Sequence, residues 1–205
     1  MGKTQEKHTY VVGVTGGIGA GKSYVCHIIA EQGYPVYVSD KEARYITDHD
    51  PLVRERLMLL LGEDIYTETG LDRKCVAKRV FSDPELLKQM NQIVHPAVST
   101  HFKAWVKQQK SSLVFIESAI LVSSGFDSMC DAVIYVEAPE QLRIERVQAR
   151  DGMNVEEIRK RMHNQSEAHS SCDIPSLVIN NNGDIPVHTL VHDLIMKLND
   201  YRDNR

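Results

Sequence analysis

Apolar residues gather in five short runs along the chain, and stretches with helical apolar spacing separate them. The runs cover residues 9–15, 34–39, 112–117, 132–137 and 177–180. Runs that are apolar at nearly every position are typical of strands covered on both faces of a parallel sheet. Strands that alternate with helices are typical of a doubly wound sheet. The pattern therefore predicts an α/β fold with three layers and a parallel sheet of five strands.

Two helical stretches interrupt this alternation. The first has no strong strand pattern, and its spacing predicts helices over 51–61, 72–81 and 84–94, followed by another helix that starts at His95-Pro96 and runs to Trp105. The length of this insertion suggests a cover over a substrate. The second stretch, 139–170, is helical and rich in arginine, which indicates a mobile lid. At the C-terminus, residues 187–201 predict an amphipathic helix that packs on the sheet.

The segment GGIGAGKS, from Gly16 to Ser23, fits the phosphate-binding loop G-x-x-x-x-G-K-[ST]. A strand pattern precedes it and a helix pattern, which ends at Gly33, follows it, as this motif requires. In such a loop Lys22 reaches the β- and γ-phosphates, and the Ser23 hydroxyl binds Mg²⁺. The alternative, a glycine-rich turn without a ligand, does not explain why both flanks agree. The sequence therefore predicts a site for ATP or GTP.

Asp40 comes at the end of the second apolar run. The carboxyl ends of strands face the ligand crevice of a doubly wound sheet, and the phosphate loop leaves its strand at the same edge. A carboxylate there can accept the proton of an attacking hydroxyl. The alternative is an N-cap of a helix that starts at Lys41. The position alone leaves both roles open.

Three arginines of the second helical stretch, Arg143, Arg146 and Arg150, are spaced by three and four residues, which puts them on one helical face. Like charges at this spacing repel each other, so the row suggests an anionic partner. Arginines can neutralise the charge that develops during phosphoryl transfer. The alternative is a solvated helix with local ion pairs.

Composition narrows the class of protein. The net charge is −4 and the isoelectric point is about 6.1, which argues against a general surface for nucleic acid or anionic membrane. No apolar run approaches the roughly 20 residues that span a bilayer. The four cysteines, Cys26, Cys75, Cys130 and Cys172, form no C-x-x-C pair and suggest free thiols in the cytoplasm. The D-x-x-G and N-K-x-D motifs of regulatory GTPases are missing from the sequence, and the size fits a small-molecule kinase.

Several motifs, taken in order, resemble those of the dephospho-CoA kinase family. They are TGGIGAGKS (15–23), SDKEAR (39–44), GLDR (70–73), RVF (79–81), NQIVHP (91–96), RVQARD (146–151), RMHNQ (161–165) and INNNG (179–183). The resemblance implies phosphorylation of the ribose 3′-hydroxyl of dephospho-CoA, with MgATP as donor. It implies a small-molecule substrate, no nucleic acid and no membrane, and a monomer or small homo-oligomer.

The resemblance also implies roles for particular residues. Asp40 becomes the catalytic base, and Lys22 and Arg150 contact the ATP phosphates. Arg44, Arg73 and His95 fall near the acceptor, although His95-Pro96 has the alternative role of starting a helix. The residues implied to bind the nucleotide are Gly17, Ile18, Gly19, Ala20, Gly21, Lys22, Ser23, Tyr24, Arg146, Asn181 and Gly183, with Ser23 on Mg²⁺.

The expected division of the chain follows. Residues 1–45, 97–138 and 171–205 form the nucleotide-binding core, 46–96 the helical insertion for the acceptor, and 139–170 the lid. The chain departs from the family pattern at Val38, Tyr24 and Arg143, where an Asp, a Thr and a Gln are usual, and in residues 117–121 after the third strand. Two roles stay open for Glu117: holding a water bound to Mg²⁺, or packing and capping. The rival functions are another P-loop kinase, such as a nucleoside monophosphate kinase, and a non-catalytic nucleotide-binding protein.

Overall fold

Strands and helices alternate along the chain, as the apolar runs predict. The computed structural model describes residues 8–166 and 174–203. The strands are β1 (Tyr10–Thr15), β2 (Val36–Val38), β3 (Tyr66–Thr67), β4 (Gly70–Leu71), β5 (Leu113–Glu117), β6 (Ala132–Glu137) and β7 (Ser176–Asn180). The helices are α1 (Lys22–Glu31), α2 (Ser39–His49), α3 (Pro51–Leu61), α4 (Arg73–Phe81), α5 (Pro84–Gln108), α6 (Glu140–Asp151), α7 (Val155–Ser166) and α8 (Val187–Asp203).

The strands at the five predicted runs form one sheet, in the order β2-β5-β1-β6-β7. The pairs β1–β5, β1–β6 and β6–β7 are parallel, and Val14 of the central strand lies opposite Glu117 of β5 and Ile134 of β6. Helices flank the sheet, so the predicted fold class is confirmed. The carboxyl ends of β1, β5, β6 and β7 share one edge of this sheet, and the loop after β1 leaves from that edge.

Buried apolar side chains join this sheet to α1 and α8. Val12 and Val14 of β1 and Ile134 of β6 are fully buried and belong to one cluster with Ile28 of α1 and Val191 of α8. The apolar positions of α8 recur with helical spacing, so one face is buried, as expected for an amphipathic helix. This packing holds the beginning of α1, and therefore the phosphate loop, against the end of β1.

Two units divide the chain: one contains the residues up to Tyr37 and from Gln109 onward, and the other contains Val38–Gln108. The second unit holds α2 to α5 and the β3–β4 hairpin. Two of its helices, α3 and α4, begin where the sequence supplies a cap. Asp50 accepts hydrogen bonds from the N–H groups of Leu52 and Val53, and Pro51 occupies the first helical position of α3. Asp72 caps α4 in the same way.

One element differs from the prediction in a clear way. The chain was expected to start a new helix at His95-Pro96, but α5 runs without interruption from Pro84 to Gln108. Proline inside a helix removes one backbone hydrogen bond and usually kinks or breaks the helix. Here Val94, Val98 and Phe102 lie on one buried face on both sides of Pro96, and this burial favours a continuous helix. His95 is therefore an interior residue of a helix, and its alternative role as a helix start is wrong.

Other boundaries differ by a few residues. The second strand is shorter than predicted because α2 begins at Ser39. Within the predicted lid, α6 and α7 are joined by a small buried cluster of Ile144, Val147 and Ile158. The last residues of this segment, 167–170, and Cys172 lie outside the described residues. In the described part of the chain, every helix is too short or too polar to cross a membrane.

Candidate active site

The phosphate loop connects β1 to α1, and Gly21 ends it. Gly21 is the N-cap residue of α1 and has a φ of 97°, a conformation that glycine adopts without strain. A Cβ atom at this position would lie 2.2 Å from Nδ2 of Asn181. Both the backbone conformation and the close neighbour therefore require glycine here. The N-terminal end of a helix attracts anions, because its first N–H groups point out of that end.

Lys22 follows Gly21 and turns back over the loop. Its Nζ donates hydrogen bonds to the carbonyl oxygens of Gly16, at 2.8 Å, and Gly17, at 3.2 Å. The ammonium group is thus held at the loop by main-chain acceptors. A phosphate bound in the loop would place negative charge beside this cation, as the motif predicts.

Ser23 contacts the end of the neighbouring strand. Its Oγ donates a hydrogen bond of 2.7 Å to Oε1 of Glu117, the last residue of β5. Glu117 is only 8% exposed, so its carboxylate depends on this partner and on nearby charge. The contact brings together two side-chain oxygens, of Ser23 and Glu117, that the sequence analysis connected with Mg²⁺ separately. It exists because the pairing of β1 with β5 places Glu117 level with Val14, just before the loop.

Cys26 lies one turn into α1, close to the same groups. Burial raises the pKa of its thiol strongly, and the charge of Glu117 raises it further, whereas Lys22 acts in the opposite direction. The thiol is therefore protonated at neutral pH and is a poor nucleophile. Its position indicates packing under the loop rather than chemistry.

Two of the three predicted anion-binding arginines contact the phosphate loop through its carbonyl oxygens. Nε of Arg143 donates to the carbonyl oxygen of Ile18 at 2.8 Å. Arg143 is half-buried, and this burial lowers the pKa of its guanidinium, which the charge of Glu140 partly offsets. Nη1 of Arg146 lies 3.5 Å from the carbonyl oxygen of Gly19 and 3.4 Å from that of Ala20. These arginines therefore support the loop from α6.

The third arginine, Arg150, is in a different state. Its Nε and Nη2 donate to the two carboxylate oxygens of Asp151, at 2.8 Å and 2.7 Å. This hydrogen bonding raises the pKa of Arg150 and lowers that of Asp151. The side chain is 65% exposed, so a phosphate can compete for it without a large cost of desolvation.

The late segment INNNG begins with the last two residues of β7 and continues beyond its end. Asn181 is 5% exposed, and its Nδ2 donates to the carbonyl oxygen of Ala20 at 2.9 Å. Gly183 is exposed, and a Cβ atom there would meet no atom within 4 Å. Tyr24, which replaces the usual threonine, is 50% exposed and makes an edge contact with the ring of His188, with centroids 6.5 Å apart.

A cavity of about 210 Å³ opens beside the loop. Its lining combines glycine backbone with cationic side chains, as a site for phosphate groups requires. The lining residues are Gly19, Gly21, Lys22, Ser23, Tyr24, Arg146, Val147 and Arg150. All but Val147 of these residues were predicted from the sequence to bind the nucleotide or its phosphates.

In the second unit, Val38–Gln108, which we call the helical unit, Asp40 is the second residue of α2 and is exposed. The N-cap of α2 is Val38, which makes no side-chain capping bond. The alternative role of Asp40 as an N-cap is therefore wrong. Among the described residues, no hydrogen bond or ion pair engages its carboxylate.

Arg73 of the same unit is tied to Asp48, a residue that the sequence analysis did not identify. Nη2 of Arg73 donates to Oδ2 of Asp48 at 2.9 Å, and the N–H of Leu71 donates to Oδ1 at 2.9 Å. Partial burial acts to raise the pKa of Asp48, but these hydrogen bonds and the charge of Arg73 outweigh it, and the pKa lies below its usual value. No motif distinguishes Asp48, because its partners come from the β3–β4 hairpin and the start of α4.

Arg44 and Arg73 both line an apolar cavity of about 310 Å³. The rest of its lining is Ala43, Thr47, Leu71, Val76, Ala77, Val80, Leu87, Met90 and Val94. A larger cavity of about 400 Å³ in the same unit contains neither arginine. His95 lines neither cavity; burial lowers the pKa of its ring, which is therefore mostly neutral at pH 7.

Comparisons with known proteins agree with this site. The model of the dephospho-CoA kinase family matches residues 10–186. A dephospho-CoA kinase of Porphyromonas gingivalis is 43% identical over 196 residues, which cover 95% of each chain. A crystal structure of a Thermus thermophilus protein is 30% identical, with a TM-score of 0.79, and the match covers 93% of this chain and 97% of that one. A Campylobacter jejuni dephospho-CoA kinase shares the fold at 22% identity, with a TM-score of 0.65, over 92% of this chain and 96% of its own. The chain belongs to the dephospho-CoA kinase family.

Proposed function

We propose that this kinase transfers the γ-phosphoryl group of ATP to the ribose 3′-hydroxyl of dephospho-CoA. One observation carries the donor half of the proposal: the Gly16–Ser23 loop has the backbone, lysine and serine that bind a nucleotide triphosphate, and the cavity beside it is lined with cations. Family membership supports the acceptor. The thiols of Cys26, Cys75 and Cys130 are in the reduced form, which is compatible with our proposed location in the cytoplasm.

Ser23 and Glu117 are the residues that would hold Mg²⁺. Both present oxygen atoms, which Mg²⁺ prefers, and Mg²⁺ is usually held by one or two protein oxygens together with waters and substrate phosphates. The 2.7 Å contact between the two side chains supports this assignment, because each lies within reach of one shared position. When bound, Mg²⁺ neutralises charge on the phosphates. Replacement of Glu117 by Gln separates this role from packing alone.

Asp40 is proposed as the base. The reaction forms a bond from the acceptor oxygen to the γ-phosphorus and breaks the bond from that phosphorus to the β–γ bridging oxygen, which leaves with ADP. The hydroxyl proton passes to the Asp40 carboxylate. An exposed carboxylate with no partner among the described residues supports the role, because nothing must be displaced before it accepts a hydrogen bond.

We assign the 310 Å³ cavity of the helical unit, which Arg44 and Arg73 line, to the acceptor. Dephospho-CoA joins phosphates to a pantetheine arm with apolar segments, and a cavity with apolar walls and two guanidinium groups has matching chemistry. Arg44 is exposed and can pair with a substrate phosphate. Arg73 keeps one face on Asp48 and the carbonyl oxygen of Arg44, so we assign it to shaping the cavity as well as to binding.

The lysine and arginines at the loop stabilise the charge that develops during transfer. Lys22 lies at the loop itself, and Arg150 exchanges Asp151 for a phosphate oxygen when the nucleotide binds. The proposed lid, residues 139–170, would then exclude water from the γ-phosphate.

A coupled assay of ADP release tests the proposal. We expect turnover with ATP, Mg²⁺ and dephospho-CoA, and none above background with nucleoside monophosphates. The product is identified as coenzyme A by mass and by release of its 3′-phosphate with a 3′-nucleotidase. Turnover with nucleoside monophosphates alone would make the chain a nucleoside monophosphate kinase and would contradict our assignment. No release of ADP with any acceptor would favour the non-catalytic alternative.

A further inference from the structure

One buried carboxamide connects the segment after β7 to the phosphate loop. The backbone N–H of Asn181 donates to the carbonyl oxygen of Glu137 at 2.7 Å, which fixes the residue at the end of β6. Its side-chain Nδ2 donates to the carbonyl oxygen of Ala20 at 2.9 Å, and the bond is buried. The side chain therefore reaches the main chain of the loop, 161 residues earlier in the sequence.

Arg146 holds the same carboxamide from the other side. Its Nη2 donates to the carbonyl oxygen of Asn181 at 3.0 Å and lies 3.3 Å from Oδ1 of the same residue. Its Nη1 approaches the carbonyl oxygens of Gly19 and Ala20. Both ends of the Asn181 side chain thus have protein partners, and those partners belong to the loop or bind it.

The geometry of the peptide bond makes this contact matter for an anion. The Ala20–Gly21 peptide group is planar and trans, so its C=O and N–H point in opposite directions. Because Asn181 holds the carbonyl oxygen of Ala20, it also fixes the direction of the Gly21 N–H. Gly21 lines the 210 Å³ cavity and is the N-cap residue of α1, at the end of the helix where N–H groups bind anions. A Cβ at Gly21 would lie 2.2 Å from Nδ2, so the carboxamide also packs directly on this peptide.

We propose that Asn181 is a positioning residue for the phosphate loop. It holds the Ala20–Gly21 peptide in the orientation that receives the nucleotide phosphates, and Arg146 holds Asn181. This inference rests on the proposed function, because it assumes that the loop binds a triphosphate. It assigns to Asn181 an effect on the phosphate end of ATP, in addition to the position near adenine that the family resemblance predicts.

Tripolyphosphate separates the two roles, because it carries the phosphates of ATP without the base. The intact enzyme is titrated with Mg-tripolyphosphate and with ATP by calorimetry, and KM for ATP is measured in the ADP-release assay. For Asn181→Ala we expect the affinity for tripolyphosphate to fall about ten-fold and the affinity for ATP to fall by at least that factor, because the buried carbonyl oxygen of Ala20 loses its donor. The effect should fall on KM more than on kcat.

Asn181→Asp is the matched variant of equal size. It keeps an oxygen toward Arg146 but places a second oxygen against the carbonyl oxygen of Ala20, so both affinities should fall at least as much as in Asn181→Ala. Asn182→Ala is the control: Asn182 is exposed and contacts Asp184 rather than the loop, so both affinities should stay at the wild-type value. Dissociation constants describe only the folded molecules in the sample, so partial unfolding does not change them. If Asn181→Ala does not fold, Asn181→Asp and Asn181→Ser decide the outcome.

Three outcomes would overturn the inference or its basis. If ATP weakens while tripolyphosphate does not, Asn181 acts on the base and the positioning role is wrong. If the affinity for neither ligand changes in Asn181→Ala and Asn181→Asp, the contact between Asn181 and Ala20 has no effect on binding, and the positioning role is wrong. If the wild-type enzyme binds neither ligand, the proposed function itself fails, and this result is distinct from the other two.

Discussion

The phosphate loop and the helical unit offer different kinds of chemical groups. At the loop, side chains hold main-chain atoms in place: Lys22, Arg146 and Asn181 donate to loop carbonyl oxygens. In the helical unit, Asp40, Arg44 and Arg73 are exposed side chains whereas His95 is half-buried, and Asp40 has no partner among the described residues. The comparison indicates that changes near the loop act through geometry and affect nucleotide affinity. Changes in the helical unit act through single functional groups.

The largest effect is expected at Asp40. Asp40→Asn keeps the size of the side chain and removes the base, so kcat should fall by about 10² or more while ATP affinity stays the same. Glu42→Gln, which removes the same charge two residues later on α2, is the control and should retain kcat. A wild-type kcat in Asp40→Asn would show that Asp40 is not the base. Steady-state kinetics and ATP titration measure the two quantities.

Gly21→Ala tests the loop side of the comparison. The new Cβ meets Asn181 and the residue must keep a positive φ, which costs about 1–2 kcal/mol by itself for a residue other than glycine. We expect KM for ATP to rise by about 10- to 100-fold through loss of aligned N–H donors.

Gly33→Ala is the matched control for the backbone cost. Gly33 also has a positive φ, of 87°, but a Cβ there meets no atom within 4 Å. This variant should lose stability and keep its KM for ATP. Equal KM values in both variants would mean that the contact between Gly21 and Asn181 does not shape the site.

Glu117→Gln tests a functional side chain at the loop itself. Glu117 contacts the loop serine, Ser23, but it is proposed to act through its own carboxylate. If Glu117 helps to hold Mg²⁺, the Mg²⁺ concentration for half-maximal rate should rise about ten-fold, as for other residues that support a metal site. Glu145→Gln, an exposed change on α6, should leave it unaltered. An unchanged Mg²⁺ dependence in Glu117→Gln would assign this carboxylate to packing alone.

Asp48→Asn examines the helical unit for a role in stability. The pKa of Asp48 is below its usual value, so its contribution to stability is complete above about pH 4 and is lost as the pH falls through the lowered value. Arg73 is 42% exposed, and solvent screening limits the pair to about 1 kcal/mol, or roughly five-fold in the unfolding equilibrium at pH 7.

Urea unfolding between pH 7 and pH 3 measures this term. The loss of stability in Asp48→Asn should be full at pH 7 and should become smaller toward pH 3, whereas Asp193→Asn, an exposed change on α8, should match the wild type throughout. A difference that persists unchanged at pH 3 would mean that packing, not the charge of Asp48, is responsible.

The smallest effect is expected at the exposed pair of Arg150 and Asp151. Asp151→Asn removes the carboxylate that competes with phosphate for the guanidinium, so KM for ATP should fall by about two- to three-fold, with kcat unchanged. A rise in KM would show that Asp151 orients Arg150 for the nucleotide instead. The salt dependence of KM provides a second measurement, since the difference between the two enzymes should shrink at high ionic strength.

The elements that chiefly follow from local sequence were predicted well. The order of apolar runs predicted the five strands of the sheet, and the glycine, lysine and serine of the phosphate loop predicted its place between β1 and α1. The break at Pro96 was predicted wrongly, because the rule that proline ends a helix is local. The buried face of Val94, Val98 and Phe102, which decides the matter, is a tertiary property.

The sequence by itself determined the fold class, the phosphate loop and the residue types that phosphoryl transfer needs, because backbone preferences and apolar periodicity act over a few residues. Only the tertiary structure decided which of these residues meet. It placed Glu117 on Ser23, Asn181 on Ala20 and Arg73 on Asp48. These contacts join segments that are far apart in the sequence and are brought together by strand pairing and helix packing. A local sequence pattern therefore does not predict their hydrogen bonds.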